Sequence, residues 1–248
     1  MRDELIWACF FMLIACASMS KNSDILYAGL LDESYAASDQ AKAHADRVAS
    51  ALPSTLPEKL KNLEAQSERV ECTNIVGHTH TAQVFGDNGT GTRGGLYALS
   101  SKDGSKWDHV VRVFSNNASA EAKSPAIACD TNQYVRGHLN GFRNRIYLAF
   151  VMESTPGASS QFSQIFFALS VDGGNLFGMP PTDGSNNWKY YPLRLNVGPN
   201  PATNPTITVD DDGDVIVAWT ETDPSTGATS TVSRRSSSGG AVFTAPQH

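Results

Sequence analysis

The chain has 248 residues, of which 40% are hydrophobic and 18% charged, and a formal net charge of -6. That length suffices for one good-sized core or two small ones. It carries no basic block and no interleaving of aromatic with basic residues, which argues against a nucleic-acid partner.

Residues 5–17 are nearly all apolar, running Leu-Ile-Trp-Ala-Cys-Phe-Phe-Met-Leu-Ile-Ala-Cys-Ala. Such a run is too short for a stable transmembrane helix and reads as the core of a signal peptide. Arg2 precedes it, although Asp3 and Glu4 depart from the usual basic start. Leu13-Ile14-Ala15-Cys16 resembles a bacterial lipobox, which makes Cys16 the expected lipid attachment point. The alternative is a plain secretory signal cut near Ala15 to Ser18. Either way the expected location is extracytoplasmic: the bacterial outer surface or periplasm as a lipoprotein, or the medium after secretion. Contact with a membrane is expected only through the lipid. Cys72 and Cys129 then remain for the folded part, as one disulfide or as two separate buried thiols.

Residues 18–69 are rich in Ala, Lys, Glu, Asp and Gln. Tyr35, Ala41, Ala45, Val48 and Leu52 recur at roughly helical spacing, Pro53 and Pro57 interrupt, and Leu60 and Leu63 follow. The apolar stripe is weak, so this stretch reads as a loosely packed helical spacer.

From residue 70 short apolar runs alternate with turns rich in Gly, Asn, Asp, Ser and Pro, which is strand texture. The runs repeat. Ser124-Pro125-Ala126-Ile127-Ala128-Cys129-Asp130 aligns with Asn204-Pro205-Thr206-Ile207-Thr208-Val209-Asp210. Arg145-Ile146-Tyr147-Leu148-Ala149-Phe150-Val151 aligns with Asp214-Val215-Ile216-Val217-Ala218-Trp219-Thr220. A third strand follows in each unit and runs into a turn motif. One copy spans Ser170, Asp172, Gly174 and Phe177; a second spans Ser236, Gly240 and Phe243, with Ser238 in place of the Asp. An earlier, shortened copy holds Ser101, Asp103 and Trp107. The leading serines are 69 and 66 residues apart, and this constancy marks a repeat architecture.

The motif, S-x-D-x-G-x-x-[W/F], resembles the Asp box of the sialidase-like (BNR repeat) β-propeller superfamily, over residues 70–248. Its parts have structural jobs. The Asp accepts backbone N–H groups of its own turn, the glycines take positive φ, and the aromatic inserts between strands. The resemblance implies an all-β chain: a partial β-propeller of about three four-stranded Asp-box blades (70–248). Ahead of it are expected a signal peptide of lipoprotein type (1–17) and a short helical spacer (18–69). It implies that the boxes lie away from the binding face, so Asp103 and Asp172 are not catalytic carboxylates. It also implies a function in glycan or protein recognition, or membership of an exo-sialidase or related glycoside hydrolase.

Sialidase chemistry needs three arginines for the substrate carboxylate, a Tyr/Glu nucleophile pair and an Asp acid. Arg145-Ile146-Tyr147 is the nearest string to the family's Arg-Ile-Pro motif, and Arg93 is a candidate first-blade arginine. No triad is assignable, so the catalytic residues stay unknown. Closed propellers have about four to eight blades, so further blades from a longer chain are expected. Trp188 and Tyr190, beside a polar loop, are candidate sugar contacts. His78 and His80 lack a third ligand, so no metal and no cofactor are expected. The Asp210–Asp214 run lacks the Glu of a calcium loop and reads as a hairpin turn. Glu221, at the end of a second strand, reads as an exposed strand-end carboxylate, the alternative being one that faces a cleft.

Overall fold

A computed structural model of the chain describes residues 56–57, 60–61, 63–67, 69–87, 94–158, 160–180 and 191–248. They belong to one compact unit, His44–His248. The signal segment, Cys16 and residues 18–55 of the spacer lie outside the described residues.

Thirteen strands are described. Blade I is the antiparallel meander β1 (Val70–Thr73), β2 (Thr79–Phe85), β3 (Gly95–Ser101) and β4 (His109–Ser115). Blade II is β5 (Ala120–Cys129), β8 (Ile146–Ser154), β9 (Ser163–Ser170) and β10 (Leu193–Arg194). A two-stranded hairpin, β6 (Tyr134–Val135) with β7 (His138–Leu139), is inserted between its first two strands. Blade III is β11 (Ala202–Val209), β12 (Val215–Thr222) and β13 (Thr229–Ser236). Its fourth position is taken by a single bridge, where Ser233 and Gln247 exchange both backbone bonds at 2.9 Å. The first strands β1, β5 and β11 are successive neighbours, β5 touching the other two. This is the blade arrangement of a partial β-propeller, all-β among the described residues.

Strand periodicity explains the stacking. Side chains alternate between faces, and a central blade must bury both. In β3, Leu96 and Ala98 face blade II, whereas Tyr97 and Leu99 face the opposite side. In β8, Ile146, Leu148 and Phe150 join the core shared with blade I, while Tyr147, Ala149 and Val151 join the core shared with blade III. The central strands therefore read as continuous apolar runs rather than as alternating ones.

The blade I face that looks away from blade II is covered by the chain before it. Leu60 and Leu63 are buried against Phe85, Tyr97 and Leu99, with Trp107 packed alongside. This corrects the expectation of a loose helical spacer for its described part. Leu60 N–H donates to Pro57 O at 2.8 Å and Leu63 N–H to Leu60 O at 3.0 Å, three-residue closures rather than the bonds of an α-helix. Residues 64–66 then extend along β2, with Gly86 N–H on Glu64 O and Gln66 N–H on Val84 O. The boundary expected at residue 70 falls inside this packed region.

The turn between first and second strands is built alike in each blade. Asn74, Asp130 and Asp210 each end a first strand and accept a backbone N–H two residues on, from Val76, Asn132 and Asp212 respectively. A short side-chain acceptor closes such a turn locally.

Candidate functional site

Every blade has two ends of different character. At one end lie the first-to-second-strand turns and the box turns. At the other lie the second-to-third-strand hairpins and the connections from blade to blade.

The box end is structural in all its parts. In the second box, Asp172 Oδ1 accepts Ser170 Oγ–H at 2.8 Å and the N–H groups of Asn175 and Leu176 at 3.1 Å. Gly174 N–H donates to Ser170 Oγ at 2.9 Å, and Phe177 is buried. In the shortened box, Gly104 N–H reaches Ser101 Oγ at 2.9 Å, and Asp103 holds Ser105 N–H at 2.9 Å. In the third, Gly240 N–H reaches Ser236 Oγ at 3.0 Å. Ser238 Oγ accepts Val242 N–H at 2.9 Å, doing with one hydroxyl what the Asp does elsewhere. Phe243 meets Phe167 of blade II edge-on, centroids 4.9 Å apart.

Two glycines matter for a reason beyond the turn. Gly174 (φ 89°) and Gly240 (φ 85°) each stand against the preceding blade. A Cβ at Gly174 would lie 3.4 Å from His80 Nδ1 and collide with Ser100 Oγ; one at Gly240 would lie 2.8 Å from Phe167.

His80 is thereby a packing residue. Its Nδ1 pairs with Ser100 Oγ at 2.8 Å and its Nε2 with Asn74 Nδ2 at 3.3 Å. Asn74 Nδ2 can only donate, so Nε2 accepts and the proton sits on Nδ1. Burial, with His78 and His109 nearby, lowers the imidazole from 6.5 to about 4. A pKa depressed in the fold means that the unfolded chain binds the extra proton between those values. Stability is thus full above about pH 6.5 and falls toward pH 4, by up to about 3 kcal/mol. Urea midpoints at pH 7 and 4.5 should differ accordingly, and the difference should shrink in His80→Gln; equal pH sensitivity in the two proteins would refute this.

The Asp210–Asp214 run is closed by a cation of the protein's own. Arg235 Nε meets Asp214 Oδ2 at 2.6 Å and its Nη2 meets Asp210 Oδ2 at 2.5 Å. Arg145, the family-motif candidate, donates Nη1 to Gly239 O at 2.6 Å and lies 4.3 Å over the Phe142 ring. It thus ties blade II to the third box. Tyr147 is fully buried and stacked near Phe167, and burial pushes its hydroxyl above the ordinary value. Its hydroxyl has no hydrogen-bond partner among the described residues, so no carboxylate is in place to take its proton. No group of three or more His, Cys, Asp or Glu suited to a metal occurs among the described residues.

Cys72 of β1 and Cys129 of β5 are joined by a disulfide, with Cα atoms 5.7 Å apart. It clips the first strands of blades I and II together.

The box end has a cleft of about 200 Å³ between the β6–β7 hairpin and the Asp212–Asp214 turn; the opposite, open end carries two larger than this one. First strands β5 and β11 each break register at an X-Pro pair, between Lys123 and Ala126 and between Thr203 and Thr206. Proline cannot donate to the ladder. The preceding residue swings to positive φ, 46° at Ser124 and 51° at Asn204, at a cost on the order of 1 kcal/mol each. In blade I the pairing with β2 likewise breaks between Ala65 and Val70. At the level of these breaks a cleft of about 610 Å³ lies between Gln66, Ser67 and Val70 on one side and Glu121, Lys123 and Ser124 on the other. A second, of about 440 Å³, adjoins it through Gln66 and Glu121 and adds Asp87, Asn116, Asn117 and Thr155. Lys123 Nζ bridges Glu121 at 2.9 Å and Glu153 at 2.5 Å, and the two carboxylates, Glu121 first, raise its pKa.

Glu221 is placed quite differently from its sequence expectation. It is only 9% exposed, on the blade III face that meets blade II, and Trp219 Nε1–H donates to its Oε1 at 2.9 Å. Glu121, Lys123, Glu153 and Glu221 were invisible as a group in the sequence; the repeated X-Pro pair beside Lys123 was the available signal. Arg93, Trp188 and Tyr190 lie outside the described residues.

No family model matches the sequence, and no curated protein matches it. Among solved structures the chain is similar to a protein of unknown function from Dyadobacter fermentans DSM 18053, at 16% identity, covering 74% of this chain and 54% of that one, with a TM-score of 0.47. It is similar to an alpha-L-arabinofuranosidase from Fusarium graminearum, at 11% identity, covering 79% of this chain and 50% of that one, with a TM-score of 0.45. It is also similar to a xylan beta-1,4-xylosidase from Bacillus halodurans C-125, at 14% identity, covering 79% and 32%, with a TM-score of 0.38. The chain spans about half the length of the first two, 54% and 50%. The propeller assignment rests on the three stacked sheets themselves.

Proposed function

We propose that the chain is a stretch of an exported, lipid-tethered propeller of the sialidase-like Asp-box type that recognises a glycan at its open end, without a complete catalytic centre of its own. The observation that carries this reading is the pair of joined clefts at the first-strand breaks. Their walls carry amides, hydroxyls and carboxylates, among them Gln66, Asn116, Asn117, Ser124, Glu121 and Asp87, interspersed with the small apolar surfaces of Val70, Ala122 and Pro125. Such a surface matches the dense hydroxyl pattern of a sugar better than an apolar ligand or an apolar protein face. Export is supported by the apolar run over residues 5–17, and tethering by Cys16.

A second reading, part of a glycoside hydrolase, draws on two carboxylates held close together by one ammonium. Retaining glycosidases need one such group protonated and the other ionised. Here the Lys123 ammonium is bound to both carboxylates, 2.9 Å from Glu121 and 2.5 Å from Glu153, so neither stands free as an acid or a nucleophile and the cluster suits binding.

The full chain, extracted from membranes in detergent, is to be tested on a glycan microarray and on a panel of fluorogenic aryl glycosides that includes a sialoside. A retained glycan class, weakened roughly tenfold by Lys123→Ala (about 1.4 kcal/mol) and accompanied by no hydrolysis, is expected. Retention of nothing, or release of the fluorophore, would overturn the reading. Loss of membrane association in Cys16→Ala would support the tether.

A further inference from the structure

Between blades II and III the open end holds polar groups that the protein itself does not satisfy. Register and hydrogen bonds bring them together. Glu153 lies opposite Ser163 across the β8–β9 pair, and Ser163 Oγ donates to Ala202 O at 2.7 Å. Ala202 in turn lies opposite Glu221. One rung further along β9, Ile165 N–H donates to Asn196 Oδ1 at 3.0 Å. Glu153, Ser163 and Asn196 of the blade II side thus border the seam that Ala202, Trp219 and Glu221 border from blade III.

Asn196 is 2% exposed, and its Nδ2 has no hydrogen-bond partner. Glu221 is 9% exposed, with Oε1 fixed by the indole; no partner holds Oε2, which is not fully shielded from solvent. A buried donor left unmade costs about 1–3 kcal/mol, and the seam holds one on its blade II side, Asn196 Nδ2, and a free carboxylate oxygen on its blade III side, Glu221 Oε2. The available contact is one donor and one acceptor, the pair that a ring hydroxyl satisfies as acceptor and donor at once.

The charges around the seam restrict what enters. Asp87 and Glu121 line the adjoining clefts, and Glu153 and Glu221 border the seam. Among the described residues Lys123 is the one cation lining the clefts, and it is held by Glu121 and Glu153. Arg234 faces the same seam four residues nearer the box end, where it is spent on Leu195 O at 2.8 Å and Thr244 O at 2.5 Å. Arg194 is spent on Gly198 O. Among the described residues, Arg69 is the further basic residue next in sequence to a lining residue, Val70. Recognition of a sugar carboxylate needs several guanidinium forks.

We infer that the II–III seam is the hydroxyl-reading part of the open-end site, that Glu221 and Asn196 are its acceptor and donor, and that the site takes an uncharged glycan and turns away anionic ones such as sialosides. This rests on the glycan-recognition reading. The test is an array of neutral oligosaccharides printed beside their sialylated and sulfated derivatives, probed with the native chain and with Glu221→Gln. Glutamine keeps an acceptor for the Trp219 indole, and the variant's thermal midpoint checks that the fold is retained. Neutral glycans are expected to bind, with their anionic partners at least tenfold weaker. Glu221→Gln should weaken the neutral class about tenfold and narrow the gap to the anionic class. A change in tryptophan emission on titration with a bound neutral glycan should accompany binding to the native chain. Equal or better binding of anionic partners would overturn the charge assignment, and neutral binding indifferent to Glu221→Gln would overturn the seam. Silence across the whole array would instead overturn the glycan reading beneath both.

Discussion

Replacing Trp219 by alanine is expected to lower the unfolding free energy by about 3–5 kcal/mol. The indole is 1% exposed and sits in the core that blades II and III share, among Val151, Ile165, Leu195, Val217 and Val232. Strands on both sides fix that core, so the vacated space has little freedom to collapse, and the loss should exceed the transfer cost of the ring alone. The substitution also strips Glu221 of its donor, leaving a carboxylate in a mostly buried place with one bond fewer. Against a total stability of roughly 5–15 kcal/mol this is a large fraction. Guanidinium unfolding of the two proteins measures it. A loss below about 1 kcal/mol would mean that the core around Trp219 is not packed as described.

Removing the disulfide should have an effect of similar size by a different route. Cys72 and Cys129 are 57 residues apart in the chain, and closing a loop of that length restricts the unfolded ensemble by about 4 kcal/mol in the chain-entropy model. The bond joins β1 to β5, so its loss also loosens the contact between blades I and II, where Ala82, Val84, Leu96 and Phe150 pack. The Cys72→Ser, Cys129→Ser double variant should show a lower thermal midpoint than the native chain, and a reducing agent should lower the native midpoint but leave the variant's unmoved. A variant with the native midpoint would show that the blades hold each other without the clip.

Much of this architecture was legible because it is written in local chemistry. A Ser, an Asp and a Gly at fixed offsets are readable as a turn, since every bond they make stays within about five residues. The β5/β11 and β8/β12 alignments were readable for a related reason: two-sided burial demands a continuous apolar strand, which Tyr147 to Val151 supplies, and Val215 to Trp219 repeats that run although its burial alternates. The open end escaped because its decisive contacts are not local. Whether Glu221 is a wet strand end or a buried carboxylate depends on Ser163 and Ile165, more than fifty residues earlier. The same holds for Lys123, whose neighbours lie on two strands, and for the pairing of Cys72 with Cys129. The spacer misled for a third reason. Leu60 and Leu63 are too few to form a helical stripe, and they are buried only because blade I offers them Phe85, Tyr97 and Leu99.

That cover on blade I bears on where the protein can be cut. A recombinant fragment begun at residue 70 looks reasonable from the repeats, yet it would leave Phe85, Tyr97 and Leu99 facing water as one contiguous greasy surface. Sheet faces left bare in this way recruit other chains. Such a fragment would lose Gln66 and Ser67 as well, and with them one wall of the larger cleft. Solubility and ligand reading therefore share a single short stretch, so a fragment meant for binding work has to start before Leu56.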